Sequence, residues 1–147
     1  MGLEGKVTHI GVCVSDLERG IRFWTALGFQ RAPGHPEGRY QGPHVDALMR
    51  LREVVLENAF LERDGFCIEL LHYESPRSPT DRPARALNEL GFTHLSIRVP
   101  DVERAMADVE SAGGTVLRDT LLEIGDRKVA VFLRDPDGLP IELTLGA

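Results

Sequence analysis

THIGVCVSDLER at 8–19 returns as THLSIRVPDVER at 93–104, and downstream of each copy stands Ile-Glu-Leu, at 68–70 and 141–143. Both copies open with period-two alternation, the mark of a half-buried strand. Ile10, Val12 and Val14 fall on one side and His9, Gly11 and Cys13 on the other; Leu95, Ile97 and Val99 oppose His94, Ser96 and Arg98. In the Ile-Glu-Leu runs, alternation sets Ile68 and Leu70 against Glu69, and Ile141 and Leu143 against Glu142. Each copy thus offers a histidine near its start and a glutamate near its end, both turned from the apolar side. A carboxylate flanked by buried residues needs a partner, because burying it unpaired is costly. His9, Glu69, His94 and Glu142 together supply two imidazoles and two carboxylates, a donor set suited to one divalent ion such as Ni, Co, Zn, Mn or Fe.

Working outward from the repeat, Ser15-Asp16-Leu17-Glu18 has capping-box spacing, with Ser15 as N-cap and Glu18 reaching back. Leu17, Ile21, Trp24 and Leu27 give the helix an apolar stripe, and Gly28 ends it. The Gly-, Pro- and His-rich stretch 30–46 reads as a loop with room for one short strand, and as a candidate lid. Strands are expected at 54–62 and 66–73 around a turn at Arg63-Asp64-Gly65. The run ESPRSPTDRP at 74–83 is a linker, since its prolines forbid helix and central strand alike. A short helix at 84–90 precedes the second copy. There a strand at 92–99, a helix at 101–112 starting from Asp101, a short strand at 115–118, a loop, a strand at 128–134, a turn at 135–138 and a strand at 139–145 follow.

The expected fold class is therefore α+β. Two βαβββ modules, 6–74 and 92–146, are joined by a Pro-rich linker at 75–91 within a single domain spanning 1–147. Together they form a curved mixed β-sheet that lines a cavity, with helices on the outer face.

The 147 residues suffice for one well-packed domain or two small modules. The net charge of −6 lacks the basic footprint of a nucleic-acid surface. No apolar run is long enough to span a bilayer, and MGLEGKVTHIG at the start has no signal-peptide character, so the expected compartment is the cytoplasm. Lys6 stands where a myristoylation motif requires Ser or Thr. Cys13 and Cys67 form no CxxC pair and, in apolar runs, read as small core residues rather than metal ligands. His35 and His44 lie in the Pro/Gly loop and read as solvated; His72 falls on the outward set with Ile68 and Leu70. Arg98 shares the side of His94, where a guanidinium could hold a substrate carboxylate or phosphate.

VTHIGVCVSDLERGIRFWTALGF (7–29), FCIELLHYESP (66–76), FTHLSIRVPDVERAMADVESAGG (92–114) and VFLRDPDGLPIEL (131–143) resemble the vicinal oxygen chelate superfamily. That superfamily includes glyoxalase I, methylmalonyl-CoA epimerase, extradiol dioxygenases and drug-sequestering proteins of bleomycin-resistance type. The resemblance implies paired βαβββ modules around a U-shaped cavity, and a divalent metal ion at His9, Glu69, His94 and Glu142. It also implies a small-molecule substrate and a homodimer, with the four ligands meeting within one chain or across the dimer. The complete His/Glu/His/Glu set follows glyoxalase I. Cys13, however, stands where bacterial glyoxalase I has a glutathione-binding arginine, and Tyr73 where it has an asparagine that contacts glutathione. The run IELLHYESPRSP is closer to the epimerase, whose second carboxylate falls here at Asn58, beside Glu57.

The chemistry so implied is an isomerase or lyase, or an epimerase, moving a proton alpha to a carbonyl on a metal-chelated substrate. Glu142, and as its alternate Glu69, serves as catalytic base, while Arg98, Cys13 and Asn58 contact substrate. Two alternatives stand beside it. One is an extradiol-type dioxygenase, in which Fe(II) needs two histidines and one carboxylate; the other is a binding protein that sequesters a drug.

Overall fold

In the computed structural model, which describes residues 2–81 and 83–146, the chain divides into two units, Met1–Ser78 and Pro79–Ala147. The first runs β1 (Ile10–Cys13), α1 (Leu17–Ala26), β2 (Gln30–Arg31), β3 (Arg39–Gln41), α2 (Pro43–Met49), β4 (Val55–Arg63) and β5 (Phe66–Ser75). Its strands lie in the order β1-β5-β4-β2, with β3 also paired to β4. The second runs β6 (Leu95–Val99), α3 (Val102–Ser111), β7 (Thr115–Ile124), β8 (Arg127–Arg134) and β9 (Pro140–Leu145), in the order β6-β9-β8-β7. In each unit the first strand runs parallel to the last, and the remaining pairs are antiparallel. The α+β class and the doubled βαβββ topology expected from the repeat are both present; the first unit adds β3 and α2.

Each helix covers the apolar side of its own sheet. Phe23 and Trp24 of α1 are fully buried against the side of β4 and β5 that carries Ala59, Leu61, Ile68 and Leu70. The Trp24 ring meets Phe23 and Phe29 edge to face, with centroids 5.6 and 5.2 Å apart. In the second unit Val102, Met106 and Val109 of α3 occupy the same place over Val131, Leu133, Ile141 and Leu143. The buried stripe of α1 is Gly20, Phe23 and Trp24, while Leu17, Ile21 and Leu27 lie at its margin.

Several local expectations give way to specific competing contacts. Asp16, not Ser15, caps α1 by accepting from the Arg19 amide at 2.7 Å, and that bond holds its carboxyl below the usual range. Ser15 Oγ accepts instead from the Arg19 guanidinium at 2.6 Å. The cap of α3 is the repeat-related Asp101, accepting from the Arg104 amide at 3.0 Å. The stretch 30–46 is more than a loop: Gly42 (φ 107°) turns the chain, and Pro43 opens α2. No helix forms over the described residues of 84–90, where only Leu87 and Asn88 make a turn. The Arg85 side chain takes the carbonyls of Glu89, Leu90 and Phe92, and Glu89 Oε1 accepts from the Ala86 amide, so side chains replace a helical ladder. The expected loop after 118 is strand, because Thr120 bridges a bulge by donating to Leu117 O and accepting from the Phe132 amide.

The strands that the alternation predicts at 7–14 and 92–99 are shorter, Ile10–Cys13 and Leu95–Val99, and His9 and His94 stand one residue ahead of β1 and β6. No helix among the described residues is long and apolar enough to cross a membrane.

Candidate metal centre

In the first unit, the parallel pairing of β1 with β5 sets Gly11 opposite Glu69, and the β4–β5 hairpin sets Phe60 opposite Glu69 from the other side. His9 Nε2 then lies 3.1 Å from Glu69 Oε2, and its Nδ1 lies 2.9 Å from Thr8 Oγ1. The imidazole stands edge-on to the Phe60 ring, with centroids 5.1 Å apart at 87°. Ile68 and Leu70, wholly buried beneath, fix which way Glu69 points.

The second unit repeats this arrangement atom for atom. Ser96 is opposite Glu142 on one side and Phe132 on the other. His94 Nε2 lies 3.6 Å from Glu142 Oε2, its Nδ1 lies 2.8 Å from Thr93 Oγ1, and its ring stands edge-on to Phe132 at 5.1 Å and 84°. The side chains of His9 and His94 keep 32% and 30% of their surface exposed. Each pair is therefore reachable from solvent.

This donor chemistry fits a divalent cation. A ligating histidine is oriented by what its second nitrogen binds, and here a threonine hydroxyl engages Nδ1 in both units, turning Nε2 toward a carboxylate. Each unit presents one imidazole nitrogen and one carboxylate. Among the described residues, no group of three or more His, Cys, Asp or Glu stands together that could hold a metal ion.

The surroundings of the two carboxylates differ. Over Glu69, the chain at 35–40 is clipped onto β4. His35 stacks on Phe60 (4.5 Å, 18°), Glu37 Oε1 accepts from the Phe60 amide at 2.6 Å, and Asn58 accepts from the Gly38 amide at 2.9 Å. Asn58 Nδ2 donates to Glu69 Oε1 at 2.7 Å and to Pro36 O at 3.2 Å. Beyond it, Val45, Val54 and Leu56 form a small core with Tyr40, Met49, Leu71 and Tyr73, so α2 packs on the glutamate side of the sheet. The Tyr73 hydroxyl donates to Met49 Sδ at 3.5 Å, and burial pushes its pKa up, with lesser contributions from Cys13 and Glu69.

His35 is thus half-buried against Phe60 rather than solvated, whereas His44 is exposed. His72 faces away, its Nδ1 3.3 Å from Val14 O. Cys13 is exposed rather than in the core, its Sγ 3.8 Å from Ser78 Oγ. Cys67 is half-buried with Sγ 3.9 Å from His35 Nε2; burial pushes its thiol pKa up, and Glu62 and Glu69 add to it. Arg98 is exposed on the His94 side of β6. Its stem lies so close over Gly146 that a Cβ there would meet Arg98 Cδ at 2.5 Å. No hydrogen bond or ion pair holds its guanidinium among the described residues.

Sequence reasoning missed Thr8, Thr93, Phe60 and Phe132. The signal was present: Thr-His opens both copies, and AFLERDG at 59–65 answers VFLRDPDG at 131–138, placing a phenylalanine on each penultimate strand.

Comparison with known proteins bears directly on this geometry. A family model, Glyoxalase/Bleomycin resistance protein/Dioxygenase superfamily, matches residues 6–143. A probable lactoylglutathione lyase, chloroplastic, of Arabidopsis thaliana is 32% identical over 146 residues, covering 94% of this chain. This chain spans only 35% of that plant protein's length. A probable lactoylglutathione lyase of Vibrio parahaemolyticus is 28% identical over 95% of this chain and 90% of its own length. Among solved structures, a glyoxalase family protein from Bacillus cereus superposes with a TM-score of 0.77 over 99% of this chain and 98% of its own, at 17% identity. That likeness concerns the fold.

Proposed function

The chain belongs to the Glyoxalase/Bleomycin resistance protein/Dioxygenase superfamily, and from that premise we propose that it is a divalent-metal-dependent isomerase or lyase moving a proton next to a carbonyl. The observation that carries this reading is the repeated Thr-His-Phe-Glu arrangement, with a histidine and a carboxylate in contact in each unit. His9 and Glu69 of one unit, and His94 and Glu142 of the other, would hold a divalent ion. An ion of the Ni, Co, Zn, Mn or Fe kind supplies Lewis-acid polarisation of a substrate oxygen.

The remaining work falls to the chain. Thr8 and Thr93 set the imidazole orientation, and Phe60 and Phe132 pack the rings in place. Glu142 accepts the proton from the carbon beside the carbonyl and returns it to the neighbouring carbon, with Glu69 as its alternate. Arg98, an exposed cation on the same strand face as His94, anchors an anionic group of the substrate. The relatives named lactoylglutathione lyases support a substrate of that carbonyl class. Exposed Cys13 and the Tyr73–Met49 contact support a partner other than the full glutathione peptide. The enzyme works as a cytoplasmic homodimer on a small molecule.

The test is hydrogen exchange in deuterium oxide. Metal-loaded protein is incubated with lactoylglutathione and with small 2-oxo and 2-hydroxy carbonyl compounds, and loss of the alpha-proton signal is followed by NMR. Wild type is expected to exchange at least one of them, and Glu142→Gln to lose about 10²–10⁴-fold in rate while keeping metal. Undiminished exchange by that variant removes Glu142 from the base role.

A further inference from the structure

Glu69 and Glu142 are related by the repeat, yet their carboxylates are held differently. Glu69 has two partners: His9 at 3.1 Å on Oε2 and Asn58 at 2.7 Å on Oε1. Asn58 is itself fixed from several directions and only 8% exposed. Its two amide hydrogens go to Glu69 and to Pro36 O, its Oδ1 accepts from the Gly38 amide, and its own main-chain amide donates to Gly38 O at 3.2 Å. A side chain so engaged has no free donor to offer a substrate and little rotational freedom.

The matching place in the second unit is read from the register. Asn58 pairs with Leu71 two residues from the Phe60–Glu69 pair, and Ala130 pairs with Thr144 two residues from the Phe132–Glu142 pair. Ala130 therefore stands where Asn58 stands, and a methyl group donates nothing. Among the described residues Glu142 has only His94, at the longer distance of 3.6 Å, and its side chain keeps 25% of its surface exposed against 17% for Glu69.

We propose that Asn58 is a positioning residue that fixes the Glu69 carboxylate toward a cation, a hold that Ala130 does not provide for Glu142. This assignment rests on the metal-site reading above. A fixed carboxylate aims both its oxygens without further loss of freedom on binding a cation, which raises affinity but resists motion. A loosely held one gives less affinity and can change partners. The neighbouring chain at 36–38, which supplies the partners of Asn58, becomes part of the same device, since its backbone orients the amide that orients the carboxylate.

The experiment is a double-mutant cycle on Co(II) binding, measured by titrating Co(II) into metal-free protein and following visible absorption. Asn58→Leu, which removes the donor, and Asn58→Ser, which covers the case that leucine fails to fold, are each combined with Glu69→Ala and with Glu142→Ala. Thermal melting of every metal-free variant runs alongside. Asn58→Leu is expected to weaken Co(II) binding by about 10–100-fold. The same loss is expected on the Glu142→Ala background, and none on the Glu69→Ala background, because the effect passes through Glu69. An equal loss on both backgrounds would reveal a general structural role and overturn the assignment. Wild-type binding that the Asn58 variants leave unchanged overturns it too, with the metal site intact. Absence of Co(II) binding by wild type takes down the metal-site reading, and this assignment with it.

Discussion

Glu69 and Glu142 sit at the same register position in two copies of one topology, each beside a Thr-His pair and across from a phenylalanine. The first is roofed by the chain at 35–40 and bordered by α2; the second lies in register between Ser96 of β6 and Phe132 of β8. What is common to the two units is the donor pair and the groups that aim it. What differs is everything that decides how freely the carboxylate moves and what can approach it. The two units share the histidine–glutamate contact and differ in what packs around it.

The largest way to break the comparison is at the carboxylates themselves. If both glutamates were interchangeable, Glu69→Gln and Glu142→Gln would lose equal turnover. The account expects the Glu142 variant to lose about 10²–10⁴-fold in alpha-proton exchange, and the Glu69 variant to lose chiefly metal.

Next come the paired core positions. Leu61 and Leu133 are both wholly buried and each follows the phenylalanine of its unit. Truncation to alanine is expected to cost about 2–5 kcal/mol at either site, read from urea denaturation. A cost near zero at one of them breaks the equivalence of the two cores.

A pH effect separates the hairpin turns. Asp64 in the first turn is exposed, its side chain keeping 86% of its surface, whereas Asp135 in the second is 4% exposed. Asp135 accepts from the amides of Asp137 and Leu139 at 2.9 and 2.7 Å. Burial outweighs these bonds and, helped by Asp137, pushes its pKa from 3.8 up to about 6. A carboxyl raised on folding favours the folded state in its protonated form. Its contribution is present below the unfolded pKa and is lost as pH rises through about 6. Asp135→Asn keeps the acceptor and removes the charge. It is expected to flatten the fall in stability between these pH values, on the order of 2–3 kcal/mol, by denaturation at pH 4 and pH 7. An unchanged profile contradicts the burial argument.

The smallest effect lies at the helix caps. Asp16→Ala and Asp101→Ala are expected to lower the melting temperature slightly and in equal measure, because each removes the acceptor of one helix-start amide.

How much of this was legible depends on the range of the interactions. The doubled Thr-His and Ile-Glu-Leu runs gave away the strands, their sidedness and the paired donors, because alternation and repetition are local or internal to the sequence. The cap at Asp16 was readable by aligning it with Asp101, and α2 by its Gly42-Pro43 opening. The hold of Asn58 on Glu69 was not readable. It depends on the chain at 36–38 folding back over β4, a closure of about twenty residues that no periodicity encodes. Nor was the stacking of His35 on Phe60, which belongs to the same closure. The histidine–glutamate pairs were local and the contacts around Glu69 were not.

The central proposal is that the histidine–glutamate pair of each unit binds a divalent ion. The most direct test is elemental analysis of metal in the purified protein beside His9→Ala and His94→Ala, one from each unit. The account predicts a divalent ion, about one per chain, in wild type and its loss from both variants. Metal retained in full by either variant would contradict it, because the unit carrying that histidine would then take no part in the site.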